Sequence, residues 1–282
     1  MTADATPEAV AATLRAIRAR TPLVHNITNL VVANSTANAL LAIGASPAMV
    51  EGIEEVAKFA AIADALVVNL GTMSRARADA MKLAAEAAHE AGTPWVLDPV
   101  AVGAIGYRST VAVGLLGARP QVVRGNASEI IALARLSSAP LDASAGPSPA
   151  GGRGVDSLAQ AADALEAARR LARANGAAVV VSGAVDYATD GMRTIAIGNG
   201  HPMMPRVTGL GCTATAIIGA CLAVEPDALA AASHGMVLVG LAGELAGERV
   251  AGPGSLQVGL LDALYALDDA VIMARARLAP AA

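Results

Sequence analysis

The stretch VTGLGCTATAIIGACLA, Val207–Ala223, combines a glycine-rich loop with a cysteine at the start of a predicted helix. Gly209 and Gly211 allow the backbone to approach a ligand closely and to adopt positive φ values. The start of a helix offers unpaired N–H groups and a partial positive charge, so loop and helix together predict an anion site. Cys212 falls in the first turn, where the helix dipole is expected to lower the pKa of its thiol. A small buried thiol is the structural alternative, and Cys221 is expected to be one.

Three predicted strands end in further polar side chains. Asp98 precedes a proline in VLDPV, and its carboxylate serves either a functional site or an Asx-turn. Arg124 ends an apolar run in VVRGNASEI, where a guanidinium suits bidentate phosphate binding better than packing. Glu129 has the spacing of a capping box with Asn126, which is its structural alternative. Ser182 ends a third strand, where it either binds a nucleotide phosphate or terminates the strand.

The glycine loop alone leaves three classes of protein to consider: a nicotinamide oxidoreductase, a phosphotransferase and a non-catalytic binder. Residues 209–214 match the pattern G-x-G-x-x-A of nicotinamide oxidoreductases, but helical sequence follows where the next strand should carry a ribose-binding acid. A P-loop NTPase is excluded, because the motif is absent and both lysines, Lys58 and Lys82, lie on helical patterns. A phosphotransferase would therefore use arginine, backbone amides and Mg²⁺, with the metal held by Asp98 and Glu129. The third class is a non-catalytic small-molecule binder, which would transfer no phosphate from ATP.

Apolar runs of strand length alternate with alanine-rich helical stretches. Short uninterrupted strands separated by helices predict a parallel sheet covered on both faces, with ligands beyond the carboxyl ends of its strands. A short strand before Thr208, turn residues of a hairpin at Asp186 and Asp190, and a loop at Asp142–Ser157 are also predicted. The main predicted strands are Pro22–Thr28, Ser46–Val50, Ala65–Gly71, Pro94–Val100, Pro120–Gly125 and Ala177–Gly183. The predicted helices are Asn34–Ile43, Arg75–Ala91, Ser128–Leu136 and Leu158–Asn175.

The composition narrows the class of protein further. Hydrophobic residues make up 55% of the 282 residues, yet polar residues interrupt uncharged runs such as Thr21–Val50, and aromatic residues are only 2%. We therefore expect no membrane span and, without a signal-peptide pattern, a cytoplasmic protein. The net charge of −4 argues against nucleic acid as a partner. Cys212 and Cys221 would lie roughly 13 Å apart on one helix, too far for a disulfide. The absence of a linker predicts a single domain over residues 1–282.

Motifs from Pro22 to Leu267 resemble those of the hydroxyethylthiazole kinases. In family order they are PLVHNITNLVVANSTANALLAIGASPAMV, ALVVNLGTM, WVLDPVAVGAIGYR, VVRGNASEI, GGRGVDS, VVVSGAVDYATDG, VTGLGCTATAIIGA and AGPGS. The resemblance implies a ribokinase-like three-layer α/β/α fold with a mostly parallel central sheet and no separate lid domain. It also implies transfer of the ATP γ-phosphate to 4-methyl-5-(2-hydroxyethyl)thiazole, a salvage step in thiamine biosynthesis. The family further implies a homotrimer with active sites between subunits.

The resemblance implies roles for individual residues as well. Three of them match substrate-contacting positions: Met49, Asn26 and Gly209. Three fall at positions expected to bind ATP: Arg124, Ser182 and Gly211. Two match the acidic pair associated with magnesium and phosphate: Asp98 and Glu129. Cys212 stands where the wider superfamily usually has an aspartate base, and we expect it to aid deprotonation or positioning without being indispensable.

Two residues depart from the family pattern. Leu210 replaces the usual threonine of the Gly-Thr-Gly-Cys loop and so removes a hydroxyl beside the phosphate site. Asn26 replaces a frequent cysteine after His25. Because backbone donors survive the first change and the second lies on the substrate side, we expect altered tuning and substrate fit without loss of activity.

Overall fold

The computed structural model describes residues 5–138 and 164–281, and in this part of the chain nine strands form one sheet. The strands are β1 (Leu23–Ile27), β2 (Ser46–Ala48), β3 (Ala65–Asn69), β4 (Trp95–Asp98), β5 (Val122–Asn126), β6 (Ala178–Ser182), β7 (Asp186–Thr189), β8 (Thr194–Ile197) and β9 (Leu278–Pro280). Their order is β2-β1-β3-β4-β5-β6-β7-β8-β9. Strands from β2 to β6 pair in parallel, and β6 to β9 pair antiparallel. The predicted mostly parallel sheet is confirmed.

Helices cover both faces of the sheet and give the predicted three layers. They are α1 (Pro7–Arg20), α2 (Ala33–Ile43), α3 (Val56–Ile62), α4 (Arg75–Ala91), α5 (Gly106–Leu116), α6 (Ala127–Ser137), α7 (Leu165–Asn175), α8 (Leu210–Leu222), α9 (Ala228–Gly247), α10 (Pro253–Ala266) and α11 (Asp269–Arg275). One hydrophobic core joins α1, α2 and α8 to α11 to one face of the sheet. A second core joins α3 to α7 to the other face.

Helix α8 lies unusually close to the sheet, over β1, β3 and β4. A Cβ atom on Gly219 would lie 2.6 Å from Cγ2 of Val67 in β3, a distance that real Cβ contacts do not reach. Small residues elsewhere in α8 (Ala214, Ala216 and Ala220) are also fully or almost fully buried. The abundance of glycine and alanine in this helix therefore reflects its depth on the sheet, and that depth sets where the helix begins.

The six main predicted strands and the helices α2, α4 and α6 are confirmed, with ends that shift by a few residues. The short strand predicted before Thr208 is wrong, because Met204–Arg206 forms a 3₁₀ turn. Pro205 explains the difference, since proline fits the first positions of a helix and has no N–H to donate to a strand ladder. The loop predicted at Asp142–Ser157, with the GGRGVDS motif, lies outside the described residues. So does the start of the predicted helix Leu158–Asn175, of which α7 is the described part.

The segment after β6 forms the predicted hairpin, made by β7 and β8. Asp190 lies in its turn, where Oδ1 accepts hydrogen bonds from the backbone N–H groups of Met192 at 2.8 Å and Arg193 at 2.6 Å. Asp186 begins β7 and accepts a hydrogen bond from the Gly183 N–H. After α8 the chain runs through α9, α10 and α11 before it reaches β9. The strand that a nicotinamide-binding fold needs directly after its glycine helix is therefore replaced by helix.

Among the described helices, α9 is the one with the length and apolarity of a membrane span. Of its apolar window, 89% is buried inside the protein. Leu241 and Val237 of this helix belong to the same core as α8. The burial of α9 identifies it as a central helix of the fold.

Candidate active site

Arg124 in β5 places its guanidinium against the first turn of α8. Its Nη2 donates a 2.8 Å hydrogen bond to Oγ of Ser182 at the end of β6. A Cβ atom on Gly211 would lie 2.6 Å from Nη1, so a larger residue at this position would displace the guanidinium. Nε is buried and has no hydrogen-bond partner among the described residues. The structure thus brings together the three residues predicted to bind ATP and leaves one buried N–H of the guanidinium without a partner among the described residues.

The start of α8 supplies the predicted anion-binding backbone. Gly209 precedes the helix with φ of +83° and offers no side-chain cap to the first N–H groups. A Cβ atom at this position would lie 2.3 Å from Cγ1 of Val32, in the segment that leads from β1 to α2. Both the positive φ and this contact select glycine. The uncapped amides at the start of α8 are therefore free to bind an anion.

Asp98 at the end of β4 is a buried carboxylate held by two side chains. Its Oδ2 accepts hydrogen bonds of 2.8 Å from Nδ2 of Asn69 and from Oγ1 of Thr215 in α8. The N–H of Val100 donates to the backbone oxygen of Asp98, so the side chain does not form the alternative Asx-turn. Burial raises the pKa of Asp98, while Arg124, Thr215 and Asn69 oppose the shift. The side chain is thus positioned toward α8 and Arg124, as expected for a functional carboxylate.

Glu129 in α6 forms the predicted capping box with Asn126. Its Oε2 accepts a 2.9 Å hydrogen bond from the Asn126 N–H, and its Oε1 accepts a 2.8 Å bond from the Ala101 N–H. Burial and, to a lesser extent, the charge of Asp98 raise the pKa of Glu129 to about 7, against the effect of these two N–H groups and Arg124. The capping role predicted as the structural alternative for Glu129 is therefore confirmed. The same carboxylate also interacts electrostatically with Asp98.

Cys212 in the first turn of α8 differs from the expectation of a lowered thiol pKa. Burial raises the pKa to about 11, with the charge of Asp98 acting in the same direction. Arg124 and the amides of Asn69 and Asn29 oppose the shift without overcoming it. The expectation is wrong because burial outweighs the helix terminus, and few thiolates form near neutral pH. Cys221 is fully buried, as expected, and both cysteines are free.

Two predicted substrate contacts lie at the carboxyl ends of β1 and β2. Asn26 of β1 is buried, and its Oδ1 has no hydrogen-bond partner among the described residues. Its Nδ2 donates a 2.9 Å hydrogen bond to the Val24 carbonyl. The side chain of Val24 packs in the same core as α8. Met49 is half-buried directly after β2, which pairs with β1 in parallel. In the strand order, β1 and β2 lie on the opposite side of β3 and β4 from β5, which carries Arg124.

Sequence reasoning missed three polar residues of this site, namely Asn29, Asn69 and Thr215. Asn69 ends β3 beside Asp98 in the sheet register, so the rule that polar strand ends line a site would have found it. Nδ2 of Asn29 donates to Oδ1 of Asn69 at 2.9 Å and to Sγ of Cys212 at 3.4 Å. These residues connect the cysteine to the Asp98 carboxylate.

Asp98 and Glu129 fit a magnesium ion that is shared with a substrate phosphate. Burial raises the pKa of both carboxyl groups, and the charge of Asp98 also raises the pKa of Glu129; a bound divalent cation would oppose these shifts. No group of three or more His, Cys, Asp or Glu side chains in the described ranges could hold a metal by itself. Two carboxylates completed by water and phosphate are the usual environment of Mg²⁺.

The stability of the protein is expected to fall as the pH rises from about 4.5 to about 7. In this range the unfolded state ionises Glu129 while the folded state keeps it protonated, so folding binds protons and alkali opposes it. The contribution is on the order of 3 kcal/mol in the free energy of unfolding. Asp186, whose pKa burial raises to about 6, acts in the same direction. Denaturant unfolding between pH 4.5 and pH 8 measures the slope.

The variant Glu129→Gln provides the control for this slope. It gives up one hydrogen-bond acceptor and is expected to be less stable overall, but its stability should change less with pH. Mg²⁺ should raise the melting temperature of the unaltered protein more at pH 7.5 than at pH 5, because the cation prefers ionised carboxylates. An equal pH slope in both proteins would show that Glu129 does not carry the effect.

The architecture is a ribokinase-like three-layer α/β fold with a mostly parallel central sheet. A solved pyridoxal kinase from Bacillus subtilis, in complex with ADP, superposes with a TM-score of 0.59 at 18% identity, covering 79% of this chain and 91% of the kinase. At that identity the likeness concerns the fold alone.

Closer relatives define the family. The model of the hydroxyethylthiazole kinase family matches residues 14–270. A hydroxyethylthiazole kinase from Granulibacter bethesdensis is 64% identical over 264 residues, covering 94% of this chain and 92% of the relative. One from Cereibacter sphaeroides is 51% identical, covering 90% and 92%. The solved hydroxyethylthiazole kinase from Pyrococcus horikoshii has a TM-score of 0.87 at 39% identity, covering 98% of this chain and all of that one. The chain belongs to the hydroxyethylthiazole kinase family.

Proposed function

We propose that this protein transfers the γ-phosphate of ATP to the hydroxyl group of 4-methyl-5-(2-hydroxyethyl)thiazole. The product would be the thiazole phosphate used for thiamine salvage. One observation supports this most directly: the Arg124 guanidinium and the uncapped start of α8 meet beside the buried Asp98 carboxylate. Cation, free amides and carboxylate at one point are what phosphoryl transfer requires, since its catalysis consists mainly of positioning and charge stabilisation.

The nucleotide lies, in this proposal, at the ends of β5 and β6. Arg124 binds the triphosphate through its guanidinium, and Ser182, which accepts a hydrogen bond from Nη2 of Arg124, binds the nucleotide beside it. The amides that begin α8, including that of Gly211, bind the oxygens of the transferring phosphoryl group. These donors are fixed by the fold before the substrate binds, so little reorganisation is needed.

The thiazole alcohol lies toward β1 and β2. Met49 provides an apolar contact for the thiazole ring. Oδ1 of Asn26, which has no partner among the described residues, accepts a hydrogen bond from the thiazole alcohol. Gly209 lets the acceptor approach the backbone at the start of α8. Alignment of the hydroxyl with the phosphate can supply roughly 7–11 kcal/mol of the rate enhancement.

Asp98 and Glu129 would hold Mg²⁺ together with phosphate oxygens of the nucleotide. The bound ion would neutralise phosphate charge, a contribution that Arg124 does not supply alone. Cys212 orients the acceptor hydroxyl and takes part in its deprotonation without being the sole base. Its high pKa supports this limited role, because the thiol is protonated at neutral pH.

The proposal extends to the assembly and location of the protein. Residues 1–282 would act as a single kinase domain built on the one described sheet. A homotrimer with active sites between subunits would cover apolar side chains near the site, such as Leu30 and Val31, which are 67% and 68% exposed. Two free cysteines suit a reducing cytoplasm.

A coupled ADP-release assay on the purified protein tests the function. Mg-ATP would be supplied with the thiazole alcohol, with its analogue that lacks the hydroxyl, or with hydroxymethylpyrimidine as a rival acceptor. ADP release is expected with the first compound alone. Binding of the thiazole alcohol without ADP release would indicate a non-catalytic binder, and preference for the pyrimidine would contradict the proposed substrate.

Cys212→Ala is expected to lower kcat about tenfold or less, because Arg124, the α8 amides and Mg²⁺ would still align the phosphate and Cys212 is not the sole base. Cys212→Asp is expected to retain or improve kcat, since a carboxylate ionises far more readily than a thiol of pKa about 11 and can accept the hydroxyl proton. Steady-state kinetics with saturating Mg-ATP measures both. Complete loss of activity in both variants, with melting temperatures intact, would contradict the proposed role.

A further inference from the structure

Asn29 and Asn69 form a continuous polar connection between the cysteine and the carboxylate of the site. Nδ2 of Asn29 has two hydrogens, and it donates to both Sγ of Cys212 at 3.4 Å and Oδ1 of Asn69 at 2.9 Å. Nδ2 of Asn69 then donates to Oδ2 of Asp98 at 2.8 Å. Four side chains from four separate segments are thus connected by three hydrogen bonds.

The direction of these hydrogen bonds is fixed by their neighbours. Oδ1 of Asn69 also accepts from the Gly71 N–H at 3.0 Å, and Oδ1 of Asn29 accepts from the Val31 N–H at 3.1 Å. A flipped Asn69 amide would place its NH₂ group against two donors and its oxygen against the Asp98 carboxylate, which accepts only. Both asparagines are therefore held in one orientation.

Burial makes this connection sensitive to small changes. Asn69 and Asp98 are each 1% exposed, and Asn29 is 6% exposed. Hydrogen bonds in such surroundings are stronger than in water, and an unpaired group there is costly. Asn29 also lies in close contact with the segment after β3, because a Cβ atom on Gly71 would lie 2.6 Å from Cβ of Asn29. The loop after β1 is thereby joined to the carboxylate side of the site.

We propose that Asn29 and Asn69 are positioning residues that set the Cys212 sulfur and the Asp98 carboxylate relative to one another. This inference rests on the proposed function, in which Asp98 lies on the phosphate side and Asn26, three residues before Asn29, on the acceptor side. The connection fixes the loop after β1 with respect to the phosphate-binding groups. Its loss should therefore slow transfer more than it weakens nucleotide binding.

The variant Asn29→Asp separates the connection from the local loop structure. An aspartate retains the oxygen that accepts from the Val31 N–H, but it has no hydrogen for Asn69 or Cys212. Asn29→Ser is a neutral second variant, since a serine hydroxyl can keep the local turn but is too short to reach Asn69. Asn34→Asp is the matched control, because Asn34 is exposed in α2 and accepts a hydrogen bond that aspartate would preserve.

Two measurements test the proposal. In steady-state kinetics, both Asn29 variants should lower kcat at least about tenfold while the KM for ATP changes less than about threefold. In alkylation by iodoacetamide, followed by mass spectrometry of the Cys212 peptide, Asn29→Asp should slow the reaction at least about fivefold, because the sulfur loses a donor and gains a nearby negative charge. Asn34→Asp should change neither quantity.

The two readouts distinguish failure of this inference from failure of the proposed function. Asn29 variants with the kcat and alkylation rate of the unaltered protein would overturn the inference. An unaltered protein that releases no ADP would overturn the function, and the alkylation rates would still test the contact between Asn29 and the sulfur.

Discussion

Asp98→Asn is expected to lower kcat roughly a hundredfold to a thousandfold while the protein remains as stable as before or becomes more stable. Asparagine can place its Oδ1 where Oδ2 of Asp98 now accepts from Asn69 and Thr215, so both hydrogen bonds survive. The substitution removes only the negative charge. Because burial disfavours that charge and raises the pKa of Asp98, its removal should lower the free-energy cost of burying the side chain. Activity and stability should therefore change in opposite directions.

Steady-state kinetics over a range of Mg²⁺ concentrations, together with thermal unfolding, measures this result. The variant should need more Mg²⁺ for half-maximal rate, because one of the two proposed metal ligands has lost its charge. Asp64→Asn is the matched control, since Asp64 is exposed and accepts from the Leu23 N–H at the opposite end of the sheet. Full activity in Asp98→Asn would remove Asp98 from the proposed site.

Arg124→Ala is expected to weaken ATP binding about a hundredfold and the binding of the thiazole alcohol less than about threefold. The guanidinium fills the space between Ser182 and the first turn of α8, and its Nε lacks a partner among the described residues. Its removal takes away the positive charge nearest the uncapped amides. Arg124→Lys should recover part of the affinity, because it restores the charge without the planar fork.

Calorimetric titration with ATP and, separately, with the thiazole alcohol measures the two affinities. Arg135→Ala serves as the control, because Arg135 is exposed in the last turn of α6. An ATP affinity equal to that of the unaltered protein would exclude Arg124 from nucleotide binding. A thiazole affinity reduced as strongly as that for ATP would assign Arg124 to the acceptor side instead.

The sequence predicted the placement of those residues whose signal is local. Asp98, Arg124 and Ser182 were found because each interrupts or ends an apolar run, and such ends meet at one edge of a parallel sheet. The capping box of Asn126 and Glu129 was found because its two partners are three residues apart. Parallel pairing from β2 to β6 followed from the alternation of strands and helices. These inferences need no knowledge of distant contacts.

The features that sequence reasoning missed depend on distant contacts. Asn69 and Asp98 are separated by 29 residues, Asn29 and Asn69 by 40, and Thr215 and Asp98 by 117. The thiol pKa was predicted in the wrong direction because the helix terminus is visible in the sequence and the burial of Cys212 is not. The strand predicted before Thr208 is a different kind of error, because Pro205, which favours the 3₁₀ turn at Met204–Arg206, is visible in the sequence.

The close packing of α8 against the sheet limits which substitutions the protein can tolerate. Gly219 lies roughly 12 Å along the helix from Gly211, yet it controls how far the phosphate-binding amides protrude, because any larger residue would lift the helix off Val67. Leu210, by contrast, packs its side chain against the core and leaves the helix at the same depth. We therefore expect this family to tolerate substitutions at position 210, where leucine replaces threonine, and to retain glycine at position 219, which lies in the middle of α8 and away from the proposed phosphate site.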